Sequence, residues 1–519
     1  MKHLFLQSSV YSRVPSLMSI AGILLILLSG TQQLQAQDSD YEKWKEAQQE
    51  AFQDYVDEQN ARFAEFLRKN WEDFDTRPPE PVPDEAPKPQ DTPVAPPSQD
   101  DEGDEGEGDA RPPEMPEPPV QQPPMPPRPE LEIPDEPEPE SESSPEMTME
   151  WHYYDVPFIP LEQSDSFRIG SLSNDELADA WLEMAGSNFE EVIEAFQGFA
   201  EENDINEWGY ALLIKDYARK VFSGHNEAVF LSWFLLHNSG YHANGGYRDG
   251  DLFLLMPVSE KLFETSYYAL DEALPRFYVM QAGHLPVKNP GRIKTYAPDE
   301  EQALRVLSMR IAHPPRNTNY EDTSLLSFSF EGQTYSFQMG YDRNYVSMLE
   351  AFPLMRPEVM FATPASEQLH EQIESQIMPV IEGMPAQKAL DFLLRFSQKA
   401  FEYQTDTEQF GHEKYMTPDQ IMYHNSSDCD DRSIFFAYLV RNFMGLEVMA
   451  VTWPGHMATA VEASDDFSGD IISFNDKSFL ICDPTYIGAD SGYTMPKFLN
   501  QPMQTHPFND LLSFTPVGE

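Results

Sequence analysis

Apolar positions in the last third of the chain change period. Across residues 387–403, "QKALDFLLRFSQKAFEY", they return every three to four places, as one buried face of a helix requires. A second helix opens at "TPDQIMYH", where Thr417 caps, Pro418 takes the first turn and Gln420 closes a capping box. A third covers 432–443, brings Ile434, Phe435, Tyr438 and Leu439 onto a core face, and stops at Gly445. Beyond it the pattern is that of strands: "LEVMAVTW", a Pro-Gly turn, "HMATAVEA", a polar loop, then "SFLICDPTY". Helices followed by antiparallel strands predict an α+β module over 371–519.

A second α+β region is predicted over 151–370. It contains the helices "SNDELADAWLEMAG" and "HNEAVFLSWFLLHNSG", a strand "RFYVM", and a hairpin "LLSFSFEGQTYSFQMGYD" that turns at Glu331-Gly332. Near the N-terminus the pattern is different again. Residues 41–73 divide into elevens whose first and fourth places are aromatic: Tyr41 and Trp44, Phe52 and Tyr55, Phe63 and Phe66, with Phe74 beginning the next. Eleven residues make three helical turns, so the rings form one stripe along a long helix over 38–75 that begins at an Asp-Ser-Asp cap and stops before Pro78. Such a stripe must bury against something. Its partner is the protein's own globular part, a second copy, or another envelope protein.

Composition separates these parts. The chain has 34 basic and 88 acidic residues, a net charge of −54, which excludes nucleic acid as a partner because phosphates would repel it. Residues 76–150 hold 22 acidic and 4 basic side chains and about half the prolines. They predict an extended, disordered spacer, since so little apolar surface cannot offset the entropy of ordering. The run "DDEGDEGEGD" within it lacks the ligand spacing of a calcium loop. At the start, Lys2 and Arg13 precede the apolar "SLMSIAGILLILLSG" and the small-residue pattern "QLQAQ". That is the pattern of a signal peptide over 1–36, cut after Ala36, with a retained anchor as the alternative. The expected location is periplasmic or secreted, with no stable membrane span after processing.

Export makes the thiol count informative. Only Cys429 and Cys482 are present, so stability rests on cores rather than disulfides. Cys429 falls at the first turn of a helix, where free N–H groups and the positive end of the dipole favour a thiolate and can hold an oxyanion. His456 opens one strand and Asp483 closes another, and neighbouring strands can bring the two side by side. Both intervals, Cys to His and His to Asp, are 27 residues. The acidic neighbours Asp428, Asp430 and Asp431 suit a helix start as caps and salt-bridge partners, but oppose a thiolate, which Arg432 partly offsets. A Cys429–Cys482 disulfide is disfavoured because strand alternation points Cys482 away from the side that Asp483 faces. No zinc site is expected, since "HEKYM" from His412 lacks a second histidine. No cofactor is expected.

The three stretches "SSDCDDRSIFFAYLVR", "WPGHMATAV" and "LICDPTY" resemble, in order and spacing, the transglutaminase-like superfamily of papain-type cysteine enzymes. The resemblance covers residues from about 385 to 500. It implies Cys429 as nucleophile, His456 as base and Asp483 as the acid that orients the imidazole. It also implies thioester-forming attack on a peptide or isopeptide amide, as protease, amidase or crosslinker, with a protein or peptide as substrate. A catalytically idle scaffold of the same fold is the alternative. Gln409, Tyr415 and Asn425 are the upstream residues from which a second oxyanion donor is sought. Laid over this module with one gap, the middle region puts His225 in the place of Cys429, Asp251 in that of His456 and Gln281 in that of Asp483. It reads as a degenerate repeat without a nucleophile.

Overall fold

The computed structural model describes residues 38–82, 93–96, 147–271, 274–280, 289–297, 305–464 and 466–508. The proposed signal peptide, most of the spacer and Gln281 lie outside them. The described chain is α+β, with helices set against two five-stranded antiparallel sheets. Among the described residues no helix is long and apolar enough to cross a membrane.

Helix α1 (Asp38–Leu67) is shorter than the predicted 38–75. Asn70 and Trp71 turn their side chains back onto the carbonyls of Phe66 and Leu67, and strand β1 (Glu72–Phe74) follows. Its buried face is Val56, Asn60, Phe63, Ala64 and Leu67, the ordinary 3.6-residue stripe, while Tyr55 is exposed. Of the aromatic stripe, Phe63 is buried and Phe52, Phe66 and Phe74 pack partly on apolar clusters, while Tyr55 faces out. That face lies on α2 (Asn174–Ala185), where the Trp181 indole donates to Asn60 Oδ1 at 2.8 Å and Phe63 meets Trp181 and His237.

Helix α3 (His225–Asn238) is buried continuously from Ala228 to Leu236 and packs on a sheet ordered β1-β5-β2-β3-β4. Its other strands are β2 (Asn244–Arg248), β3 (Asp251–Pro257), β4 (Phe277–Met280) and β5 (Ile293–Thr295). The predicted hairpin is present as β6 (Tyr320–Phe330) and β7 (Gln333–Asp342), with Glu331 and Gly332 both at positive φ as a two-residue turn requires. Its Phe328, Phe330, Tyr335 and Phe337 pack on Phe392 of a later helix, α4 (Ala386–Lys399), so the hairpin leans on the C-terminal half.

After α4 come α5 (Pro418–His424), which has the predicted capping box, and α6 (Cys429–Leu439). Every residue of α6 is buried, not one face only, and a π-turn over Val440–Met444 carries it to Gly445 at φ 67°. It packs on a sheet ordered β10-β11-β9-β8-β12. The strands are β8 (Val448–Trp453), β9 (His456–Glu462), β10 (Ile471–Phe474), β11 (Lys477–Cys482) and β12 (Gln504–Pro507).

The two sheets share one register. Arg248 faces Asp251 across a two-residue turn ending in Gly250, as Trp453 faces His456 across one ending in Gly455. Three residues into the second strand, Leu254 pairs with Met280 as Thr459 pairs with Cys482. Two residues before the turn, Tyr247 pairs with Lys294 as Thr452 pairs with Gln504. A helix precedes each hairpin and packs on its second strand.

The expectation of a free spacer over 76–150 needs correction at both ends and at one point between them. Arg77 and Glu80 bridge to Tyr267 and Phe263, and Glu80 pairs with Arg276 at 2.5 Å. Residues 93–96 lie against the C-terminal sheet region through Ile487. Strand Thr148–Trp151 buries Met149 and Trp151 by simple alternation. Composition hid these contacts because each uses backbone groups or single side chains rather than a run of apolar residues.

Candidate active site

Asp428 is the N-cap of α6, and Asp428 and Asp431 form a reciprocal box: Asp428 Oδ1 accepts from Asp430 N, and Asp431 Oδ2 accepts from Asp428 N. Asp431 Oδ1 also accepts from Met416 N. The capping role is thus present, and the charges of Asp428 and Asp431 also act on the guanidinium of Arg432. Arg432, fully buried, donates to Ser427 Oγ and to the carbonyls of Gln398 and Phe401. Burial pulls its guanidinium down to about 10, against the opposing influence of Tyr403 and the aspartates.

Cys429 is the first residue of α6 and is 1% exposed. Its Sγ donates to Asp430 Oδ1 at 3.2 Å. Cys482 is also free, so no disulfide joins the two, and burial raises its thiol well above the ordinary value. Around Cys429 the carboxyl oxygens of Asp406, Asp428 and Asp431 lie within 4.8 Å of one another, as do the ligand atoms of Asp428, Cys429 and Asp430.

His456 and Asp483 do meet. His456 Nε2 is 2.8 Å from Asp483 Oδ2, both residues being buried. The other carboxylate oxygen, Oδ1, accepts from the N–H groups of Thr485 and Tyr486 and so fixes the acid against the imidazole. His456 Nδ1 is buried and has no hydrogen-bond partner. It is the nitrogen that a nucleophile would use, and the thiol of Cys429 is turned to Asp430 instead. Ser433, one turn along α6, donates its one hydroxyl proton to Cys429 O at 2.7 Å, with Met457 O also in reach at 3.3 Å, and so ties the cysteine's helix to the backbone beside His456.

The imidazole is roofed by aromatic rings. Phe498 lies flat on it at 4.9 Å between centroids, and Trp453 stacks on both. Phe498 sits in an irregular stretch after Asp483, and sequence periodicity gives no warning of it.

Gln398 is the functional residue that sequence reading missed. Its Nε2 donates to Asp483 O and Ala489 O, and its Oε1 accepts from Gly488 N. Its own carbonyl accepts from Arg432, so it links α4, α6 and the loop that carries the acid. Asp391 and Arg395 on the same helix stripe hold Ser491 N, Gly488 O and Asp490. The available signal was three polar residues at positions 391, 395 and 398, spaced to share a face of a helix whose neighbours are apolar.

The oxyanion candidates are dispersed in role. Gln409 accepts from Ser426 Oγ, Tyr415 is buried, and Asn425 ends α5 in the left-handed region at φ 55°. In the middle region His225 begins α3 as Cys429 begins α6, with Nε2 3.1 Å from Leu252 O, and Asp251 begins β3 as His456 begins β9. The residue after Met280, in the place of Asp483, is Gln281, outside the described residues. No protein-family model matches the chain, and no curated protein matches it.

Proposed function

We propose that residues 371–519 form a transglutaminase-like, papain-type cysteine enzyme held in a closed state. The observation that carries this reading is the buried His456–Asp483 pair, which engages Nε2 and leaves Nδ1 unsatisfied beside the strand end on which the cysteine's helix packs. In the reaction, Cys429 turns from Asp430 to His456 and gives its proton to Nδ1. The sulfur attacks an amide carbonyl carbon, and the C–N bond breaks as the imidazolium protonates the departing amine. Water or a second amine then cleaves the thioester, giving hydrolysis or transfer. Asp483 keeps the imidazole oriented and stabilises its charged form. The middle region, with His225 and Asp251 in the places of thiol and imidazole, is a copy that does not react. The acidic protein works after export, in the periplasm or outside the cell.

A catalytically idle scaffold is the second reading, favoured by the burial of all three residues and by the thiol's bond to Asp430. Iodoacetamide labelling of Cys429 near neutral pH separates the two. The enzyme reading expects labelling that slows at least several-fold in His456→Ala. Labelling that ignores the histidine supports the scaffold.

A further inference from the structure

Residues 93–96 are the one described part of the central Pro-rich stretch, and they lie on the loop that carries Asp483. Val94 bridges Ile487 in parallel sense, with Ala95 N donating to Ile487 O and Ile487 N donating to Pro93 O, each at 2.8 Å. Exposure alternates as in a strand: Pro93 and Ala95 turn inward and Val94 is 71% exposed. Ala95 packs against the apolar cluster to which Trp453, Tyr486 and Phe498 belong, the rings around His456 included. Ile487 follows the residue whose N–H is held by Asp483 Oδ1.

We propose that the backbone edge at Ile487 is a subsite for an extended peptide with a small side chain at the position of Ala95, and that residues 93–96 occupy it in cis. Two hydrogen bonds to a single edge residue are how an added strand docks, with affinity from the main chain and selection from the inward side chain. Pro93 and Pro96 hold Val94 and Ala95 extended at little entropic cost. The strap and a substrate peptide compete for one site, so residues 93–96 regulate access by mass action at high effective concentration. That the visitor is a substrate rests on the acyl-transfer reading above; the edge itself does not.

Two full-length variants test this: Ala95→Pro, which deletes the N–H that reaches Ile487 O, and replacement of 93–96 by Gly-Ser-Gly-Ser. Hydrogen exchange at a fragment containing Ile487, followed by mass spectrometry, is expected to quicken in both. A capped synthetic peptide of sequence DTPVAPP, added in excess, is expected to restore protection, and the same peptide with proline for its alanine is not. Unchanged exchange in both variants, or no response to the peptide, overturns the proposal. Peptide protection together with Cys429 labelling indifferent to His456→Ala leaves the edge standing and removes the enzyme.

Discussion

The ring of Phe498 lies parallel to the imidazole of His456, 4.9 Å away and tilted by only 7°. On the proposed enzyme reading, an imidazole covered in this way is screened until the ring moves. Phe498→Ala is expected to speed alkylation of Cys429 several-fold, while costing roughly 3 kcal/mol of stability as for other buried phenylalanines. Urea titration and labelling rates measured on the same sample check both. A loss of stability with no change in labelling would reduce Phe498 to a packing residue.

Gln398 satisfies two carbonyls and one amide that face no water. Gln398→Met keeps the volume but orphans all three, so a loss of about 2–4 kcal/mol is expected. The loop over 483–491 should show the fastest gain in hydrogen exchange. If the variant unfolds in urea like the parent, ordered water or another side chain has replaced the amide.

Asp419 is fully buried, where loss of hydration pushes its carboxyl up to about 6 against the opposing donations from Ser366 and Asp342 N. The ordinary value is 3.8, so the folded state binds the proton more tightly than the unfolded chain. Its favourable contribution is complete below pH 4 and is lost as pH rises through about 6, a change of roughly 3 kcal/mol for two units. Unfolding free energy measured from pH 4 to 8 is expected to carry this downward component, which Asp419→Asn removes. Asp391, also raised to about 6 by burial, keeps a residual slope of the same sign in that variant.

Phe63 is 3% exposed between Trp181 and His237, and Asn60 is bonded to the same indole. Phe63→Ala is expected to cost about 3–5 kcal/mol of helix docking. Limited proteolysis within residues 50–67 should then precede global unfolding. Cleavage at the parental rate would mean that α1 is held by its remaining contacts.

Much of this was legible in the chain because local rules agree with the fold. Alternation places His456 and Asp483 on one side of adjacent strands and turns Cys482 to the other. The caps at Thr417 and Asp428 follow from short-range chemistry, and Glu331-Gly332 specifies its turn. What stayed hidden depends on distant partners. Helix α6 is buried on every side, so its pattern has no polar face by which to orient it. Glutamine at 398 reads as a solvent-facing residue until the loop over 483–491 arrives. The rotamer of Cys429, turned to Asp430, is a choice among close neighbours that periodicity does not describe. The helix predicted over 38–75 stops at Leu67 because side-chain bonds from Asn70 and Trp71, not proline, end it.

The pairing of Pro93 and Ala95 with Ile487 also has an order in time. During synthesis the strap leaves the ribosome nearly four hundred residues ahead of the edge that receives it. Until translation has passed Ile487 it has nothing to pair with. A contact of such long range, made by two bonds, is among the latest to form and the first to open when the native protein fluctuates. A newborn chain therefore passes through a stage in which the loop after β11 is made and the backbone of Ile487 is still bare.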